Sequence, residues 1–188
     1  MKVGLIAEDD SDIGVLREFT LSLIKPYKVG FSRFVGNGCG KLRRKCGAWA
    51  KNLVLRGCPC VVIVHDLDDN DEAELRRLLT RAIAPARARA SVVLIPKREI
   101  EAWLLYDGDA IAGAFGERKR PKLPGDPESL ADPKRHLRDL VRTNYNKEYL
   151  NTVHNPVIAK KANTSRLRGS PSFAPHFGFA RTLRAMLR

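Results

Sequence analysis

An α/β fold, built on a parallel sheet of about four strands with helices on both faces, is what this sequence predicts, on three observations. Apolar runs of strand length recur four times in the first 107 residues, stretches with helical apolar spacing separate them, and the first run ends in an acid. Alternating strands and helices call for a parallel sheet covered on both sides, whose strands read as unbroken apolar runs.

"KVGLIAE" (2–8) suits a central strand, and "SDIGVLREFTLSLI" (11–24) places apolar residues on one helical face, with Ser11 as its expected N-cap. "KVGFSRFV" (28–35) is the second strand. "GNGCGKL" (36–42) is a glycine-rich turn, and residues 42–55 form the second helix. "CVVIVHD" (60–66) is the third strand, and a third helix covers roughly 71–84, with Asp71, Glu72 and Glu74 where the helix dipole favours anions. "ASVVLIP" (90–96) is the fourth strand, and "REIEAWLLYD" (98–107) turns helical.

After Gly108 the rhythm breaks. "GERKRPKLPGDPESLADPK" (116–134) holds four prolines and reads as a loop. Helices follow near 133–142 and 175–187. The expected organisation is an α/β core over 1–107 and a basic, mainly helical extension over 108–188 packed on that core.

The net charge of +13 is unevenly spread. Residues 108–188 carry sixteen Lys and Arg against seven Asp and Glu, and residues 1–107 carry eighteen against fourteen. A basic half favours a polyanionic partner, of which nucleic acid is the common one, although a solvated basic surface would look the same. No run of apolar residues is long enough to span a membrane, and acids interrupt the N-terminus before a signal-peptide core can form, so a cytoplasmic protein is expected. Cys39, Cys46, Cys58 and Cys60 lack the paired spacing of common zinc knuckles and read as reduced structural thiols.

Against this basic background the acids collect at strand ends, where ligands of open α/β sheets bind. The first strand delivers Glu8 with Asp9, Asp10 and Asp12, the third Asp66, Asp68, Asp69 and Asp71, and the fourth leads into Glu99 and Glu101. Carboxylates this dense repel one another, so a hard divalent cation with oxygen ligands, Mg²⁺ or Mn²⁺, is the expected guest. Asp66 and Asp68, two apart on an extended strand, point to one side and can grip an ion together. Glu8 can hold a second ion or serve as a base, with Asp12 close by. Asp69 and Asp71 are expected to face elsewhere as helix-start acids. The bland alternative makes all of these acids solvated helix caps.

"IAEDDSDIGVLREF" is similar to the opening of a receiver domain, with Asp66 as phosphoacceptor, but "LIPKREIEAW" lacks the hydroxyl that a receiver needs after its fourth strand. The chain more closely resembles the Toprim fold of topoisomerases, primases and overcoming-lysogenization-defect (OLD) nucleases, whose Glu after strand one and Asp-x-Asp after strand three match Glu8 and Asp66-x-Asp68. "GLIAEDDSDIGVLREF", "GNGCGKL", "VVIVHDLDDND", "IPKREIEAWLLYD", "DPKRHL" and "SPSFAPHF" fall in the order seen in the Toprim-like DUF4276 family, and the resemblance covers nearly the whole chain. Glu8-x3-Asp12 also resembles the paired acids of OLD-type sites. The resemblance implies a Mg²⁺-dependent nuclease acting on DNA or RNA, in defence against phage or plasmids. A non-catalytic nucleic-acid-binding subunit of a separately encoded ATPase is the rival.

The remaining expectations concern single residues. "GNGCGK" departs from a Walker loop at Val35 and Leu42, leaving either a plain turn or a backbone nest with Lys41 on a nucleic-acid phosphate. Lys97 is expected to stabilise charge on a cleaved phosphodiester, Arg98 to contact nucleic acid, and Glu101 to complete the metal shell or orient the cation. His65 is expected to pack away from Asp66, and Trp103 to anchor the core. Phe173, Phe177 and Phe179 are read as burying against the sheet, with base stacking alongside His176 and Arg181 as the alternative.

Overall fold

The computed structural model describes residues 1–188. Its strands are β1 (Lys2–Ala7), β2 (Gly30–Val35), β3 (Cys60–Val64) and β4 (Ala90–Leu94). They form one all-parallel sheet in the order β2-β1-β3-β4. The expected α/β architecture is therefore the observed one.

Side-chain alternation in the two central strands divides the core. Val3, Leu5 and Ala7 of β1, with Cys60, Val62 and Val64 of β3, enter one apolar cluster, whereas Ile6, Val61 and Ile63 enter another on the opposite face. Helix α1 (Asp10–Leu23) covers the first face, and α2 (Cys39–Leu55) and α3 (Glu72–Ile83) cover the second. The helices that follow β1 and β3 thus leave in opposite directions, and a crevice opens between these adjacent strand ends, the usual ligand position in such sheets.

The basic half completes the first layer. After the short α4 (Glu101–Leu104), it contributes α5 (Gly108–Ala114), α6 (Pro133–Tyr145), α7 (Asn151–Lys161) and α8 (Ala174–Leu187). Ile111, Leu137, Ile158, Phe173 and Leu183 share one apolar cluster with β1 and α1, so residues 108–188 pack against the same face of the sheet as α1. Gly14 sets the closeness of α7: a Cβ there would lie 2.4 Å from Pro156 Cγ.

Several local expectations shift. The N-cap of α1 is Asp9, which accepts from the Asp12 backbone while Asp12 accepts from Asp9 in return. Ser11 is instead buried and donates to the Asn151 carbonyl. Helix α2 starts three residues early, at Cys39, because Gly38 takes φ 114° and turns the chain directly into it. The helix expected over 98–107 is cut to four residues, since Asp107 leaves helical geometry to cap α5. Asp71 does cap α3, and Trp103, Phe173 and Phe179 are buried. All four cysteines are free and three are buried. No helix is long and apolar enough to cross a membrane.

Candidate functional site

Glu8 follows β1 directly, and Asp66 stands two residues beyond β3, which pairs with β1 in the sheet. Asp12 rises from the first turn of α1 and is buried. Glu101 opens α4 after the β4 loop, also buried. Asp68, at φ 48°, occupies the exposed turn after Asp66. Five of the carboxylates expected at strand ends are therefore gathered around the crevice.

Burial and one another's charge shift their protonation. Burial, then the charges of Asp12, Glu8, Glu101 and Asp68, push the Asp66 carboxyl well above the usual range. Burial, then Asp9, Glu101 and Glu8, do the same to Asp12. Glu8 is pushed up to about 7, by burial first and then by Asp68, while the Asp66 backbone N–H and Arg43 pull the other way. Asp66 keeps a partial opening to solvent although protein surrounds it on most sides. A dehydrated carboxylate reachable from one direction is suited to a ligand arriving from solvent.

Two neighbours orient the set. Arg43 of α2 donates from Nε to His65 Nε2 at 2.9 Å and from Nη2 to Asn70 Oδ1 at 3.0 Å. The receiving Nε2 must be unprotonated, so the His65 proton sits on Nδ1. From there it faces the Asp66 carbonyl at 2.6 Å and Glu8 Oε1 at 3.3 Å. Burial lowers the His65 pKa, so the contact with Glu8 is not an ion pair. His65 is buried as expected, but it faces Glu8 rather than turning away, because Arg43 fixes its ring. On the other side Glu101 Oε1 accepts from Tyr149 at 3.2 Å and from Asn155 Nδ2 at 3.0 Å. Asn155 Nδ2 also reaches Ser11 Oγ at 2.9 Å, which locks α7 against α1 beside the site. Burial and Glu101 push the Tyr149 phenol up, so it stays a donor.

The oxygen-only donor set suits Mg²⁺ or Mn²⁺. Glu8 Oε1 is buried and accepts no hydrogen bond, because its neighbour His65 Nδ1, 3.3 Å away, is engaged by the Asp66 carbonyl. No three acidic, His or Cys side chains converge tightly enough to hold an ion as they stand. An entering cation would offset the mutual repulsion that adds to burial in raising the Asp66 pKa. The donor chemistry fits such an ion, with inward movement of the side chains required.

The remaining expected residues occupy the rim. Lys97 is exposed after β4 and forms no ion pair with the carboxylates. Arg98 is engaged by Asp69, at 2.7 Å, and reaches the Asp68 carbonyl at 3.3 Å, so it braces the Asp66–Asp71 loop. Lys41 is exposed in the first turn of α2, near the Asn37 N–H that binds the Glu8 carbonyl at 2.8 Å. Arg138 and Arg142 of α6 line a cavity together with Tyr149. Arg43, Arg138, Arg142, Tyr149 and Asn155 are not singled out by the sequence, and the aromatic-polar stretch "NYNKEYLNTVHN" (144–155) is the one signal for the last two.

The motifs that carried the family resemblance have physical roles. In "EAWLLYD" (101–107), Glu101 joins the carboxylates, Trp103 donates its indole N–H to Ser172 Oγ at 2.7 Å, and Asp107 caps α5 and pairs with Arg166 at 2.8 Å. In "DPKRHL" (132–137), Asp132 caps α6, and the Lys134 N–H donates to Glu99 at 2.9 Å. In "SPSF" (170–173), Ser170 and Ser172 donate to buried Glu128.

No curated protein and no solved structure matches the chain. The profile of a family described as a domain of unknown function, DUF4276, matches residues 37–178, which takes in Asp66, Asp68 and Glu101 but begins after Glu8 and Asp12. This chain belongs to the DUF4276 family.

Proposed function

We propose that the protein is a divalent-metal-dependent nuclease that hydrolyses phosphodiester bonds in DNA or RNA. The observation that carries this reading is the set of crowded, dehydrated carboxylates Glu8, Asp12 and Asp66 in the crevice between β1 and β3, with an unpartnered oxygen on Glu8. Asp66, Asp68, Glu8 and Asp12 are the residues that would hold Mg²⁺ or Mn²⁺. When bound, such an ion supplies polarisation of the scissile phosphate and acidification of the attacking water. Where Glu8 stays outside the metal's ligands, its pKa near 7 suits it to take a proton from that water at neutral pH. Glu101, held by Tyr149 and Asn155, orients the inner wall. Lys97 and Lys41 offer mobile cations at the rim for the phosphate backbone, and Arg138 and Arg142 extend that positive surface from the side of Tyr149.

The likeness of Glu8, Asp12 and Asp66-x-Asp68 to Toprim and OLD-type sites agrees with this chemistry and with a role in defence against phage or plasmids. The spread arrangement of the carboxylates favours one rival, a non-catalytic nucleic-acid-binding subunit working with an ATPase. Incubation with plasmid, single-stranded DNA and tRNA in Mg²⁺, Mn²⁺ or EDTA decides between them. Cleavage that needs metal and falls by orders of magnitude in Glu8→Ala, Asp66→Ala and Asp68→Ala supports the nuclease. Binding that persists in EDTA with no cleavage in any metal supports the subunit.

A further inference from the structure

At the opposite end of α1 from the carboxylates lies a cavity of about 700 Å³, bounded by the end of α1, the turn after α7 and one face of α8. Helix α1 has 14 residues, so at about 1.5 Å per residue the two places are about 20 Å apart. Arg168, Arg181 and Arg184 line this cavity, and Arg188 extends the row on α8 at the spacing of one helical face. All four are exposed, and none forms an ion pair with a carboxylate. No acidic residue lines the cavity. Arg184, in the last turn of α8, is favoured by the helix dipole, but that explains neither Arg181 nor Arg168.

Beside the guanidinia α8 contributes Ala174, Phe177 and Ala180, and Ser22, Asn163, Thr164 and Ser165 make the rest of the lining polar. Phe177 is half-buried and held edge-on by Phe173, with ring centroids 5.2 Å apart, and Leu23 faces the same space. A volume in the range of small-molecule sites, unpaired guanidinia and a fixed aromatic ring together suit a phosphate attached to a flat apolar group. We propose that this groove is a second anion site that takes one nucleotide unit, with its phosphate on Arg168, Arg181 and Arg184 and its base against Phe177. The unit comes either as a free nucleotide or as part of a strand. The site does not depend on the nuclease reading, because no carboxylate of the crevice takes part in it.

The test uses the full chain in EDTA, with Asp66→Ala as a second background to keep the crevice out of play. Binding of a fluorescein-labelled single-stranded DNA is followed by anisotropy and competed with AMP or inorganic phosphate. Arg181→Gln/Arg184→Gln is expected to weaken binding about tenfold or more, in both backgrounds. Lys51→Gln/Arg81→Gln, the same charge change on exposed positions of α2 and α3, is expected to cost less than about threefold. Phe177→Leu keeps an apolar side chain and is expected to reduce competition by AMP but not by phosphate. Displacement by AMP identifies a single-nucleotide site. Failure of AMP to displace a strand whose binding the arginine variant weakens identifies the strand as the occupant. Equal loss in the two double variants, displacement by phosphate as strong as displacement by AMP, or no binding by the unsubstituted chain overturns the proposal.

Discussion

Replacing Glu8 by glutamine removes a charge from the crevice while keeping the shape of the side chain. The carboxyl titrates near 4.5 in the unfolded chain and near 7 in the fold, so between those values the folded protein holds a proton that the unfolded chain has released. Stability linked to Glu8 is therefore greatest below about pH 4.5, falls as the pH rises, and is fully lost above about 7. That gap corresponds to at most about 3 kcal/mol. Solvent reaches part of the side chain, and screening brings the working figure to about 1–2 kcal/mol. Above neutral pH, in EDTA, Glu8→Gln should thus melt about 3–6 °C higher than the unsubstituted protein. Near pH 5 the two should nearly coincide. Added Mg²⁺ should reverse the order, because a ligand at a hundredfold excess over its Kd stabilises by about 2.7 kcal/mol and the variant lacks one of its ligands. Thermal melts at two pH values, with EDTA or Mg²⁺, provide the measurement. If Glu8→Gln melts lower in EDTA at high pH, Glu8 is a structural partner of His65 and Arg43. The repulsive centre would then be wrong.

Asp71→Ala should lose about 1 kcal/mol through its N-cap bond to the Glu74 N–H, with cleavage unchanged, as read by melts and a gel. Tyr149→Phe keeps the ring but removes a donor from Glu101 and Asn155, so cleavage should fall while the fold persists by circular dichroism. Gly14→Ala forces a methyl against Pro156 and should cost about 1–3 kcal/mol in a denaturant titration. His176 is buried, with its pKa pushed down by burial from 6.5 to about 3, so the unfolded chain gains a proton first on acidification. Its stability contribution is present above pH 6.5 and falls toward pH 3, and His176→Gln should flatten that acid limb in melts across pH.

The sheet and its acids were legible because both obey short-range rules. β1 and β3 are buried on both faces, so they read as unbroken apolar runs, and a carboxylate just after such a run must stand at the sheet edge. What surrounds those acids was not legible. Helix α7 carries Pro156 inside it and buries a polar residue, Asn155, so neither its apolar spacing nor its composition announces a helix. Tyr149 and Asn155 reach Glu101 across 48 and 54 residues, a separation no local pattern encodes. Arg43 looks like any charge on a solvated helix until the fold turns it toward His65. The N-cap assignment went to Ser11 instead of Asp9 because both types suit an N-cap, and only the burial of Ser11 under α7 separates them.

The bond from Asn155 to Ser11 and Glu101 joins positions 144 and 54 residues apart, and that separation orders events during synthesis. The four strands can pair as soon as residue 94 has emerged, which leaves the carboxylates on an open sheet edge with nothing above them. Only when the chain has extended past α7 can its wall close over α1 and hold Glu101 in place. Contacts so distant in sequence form slowly, because the intervening loop must first be gathered. A nascent chain on the ribosome, surrounded by RNA, would therefore carry its acidic residues for most of its synthesis without a finished centre.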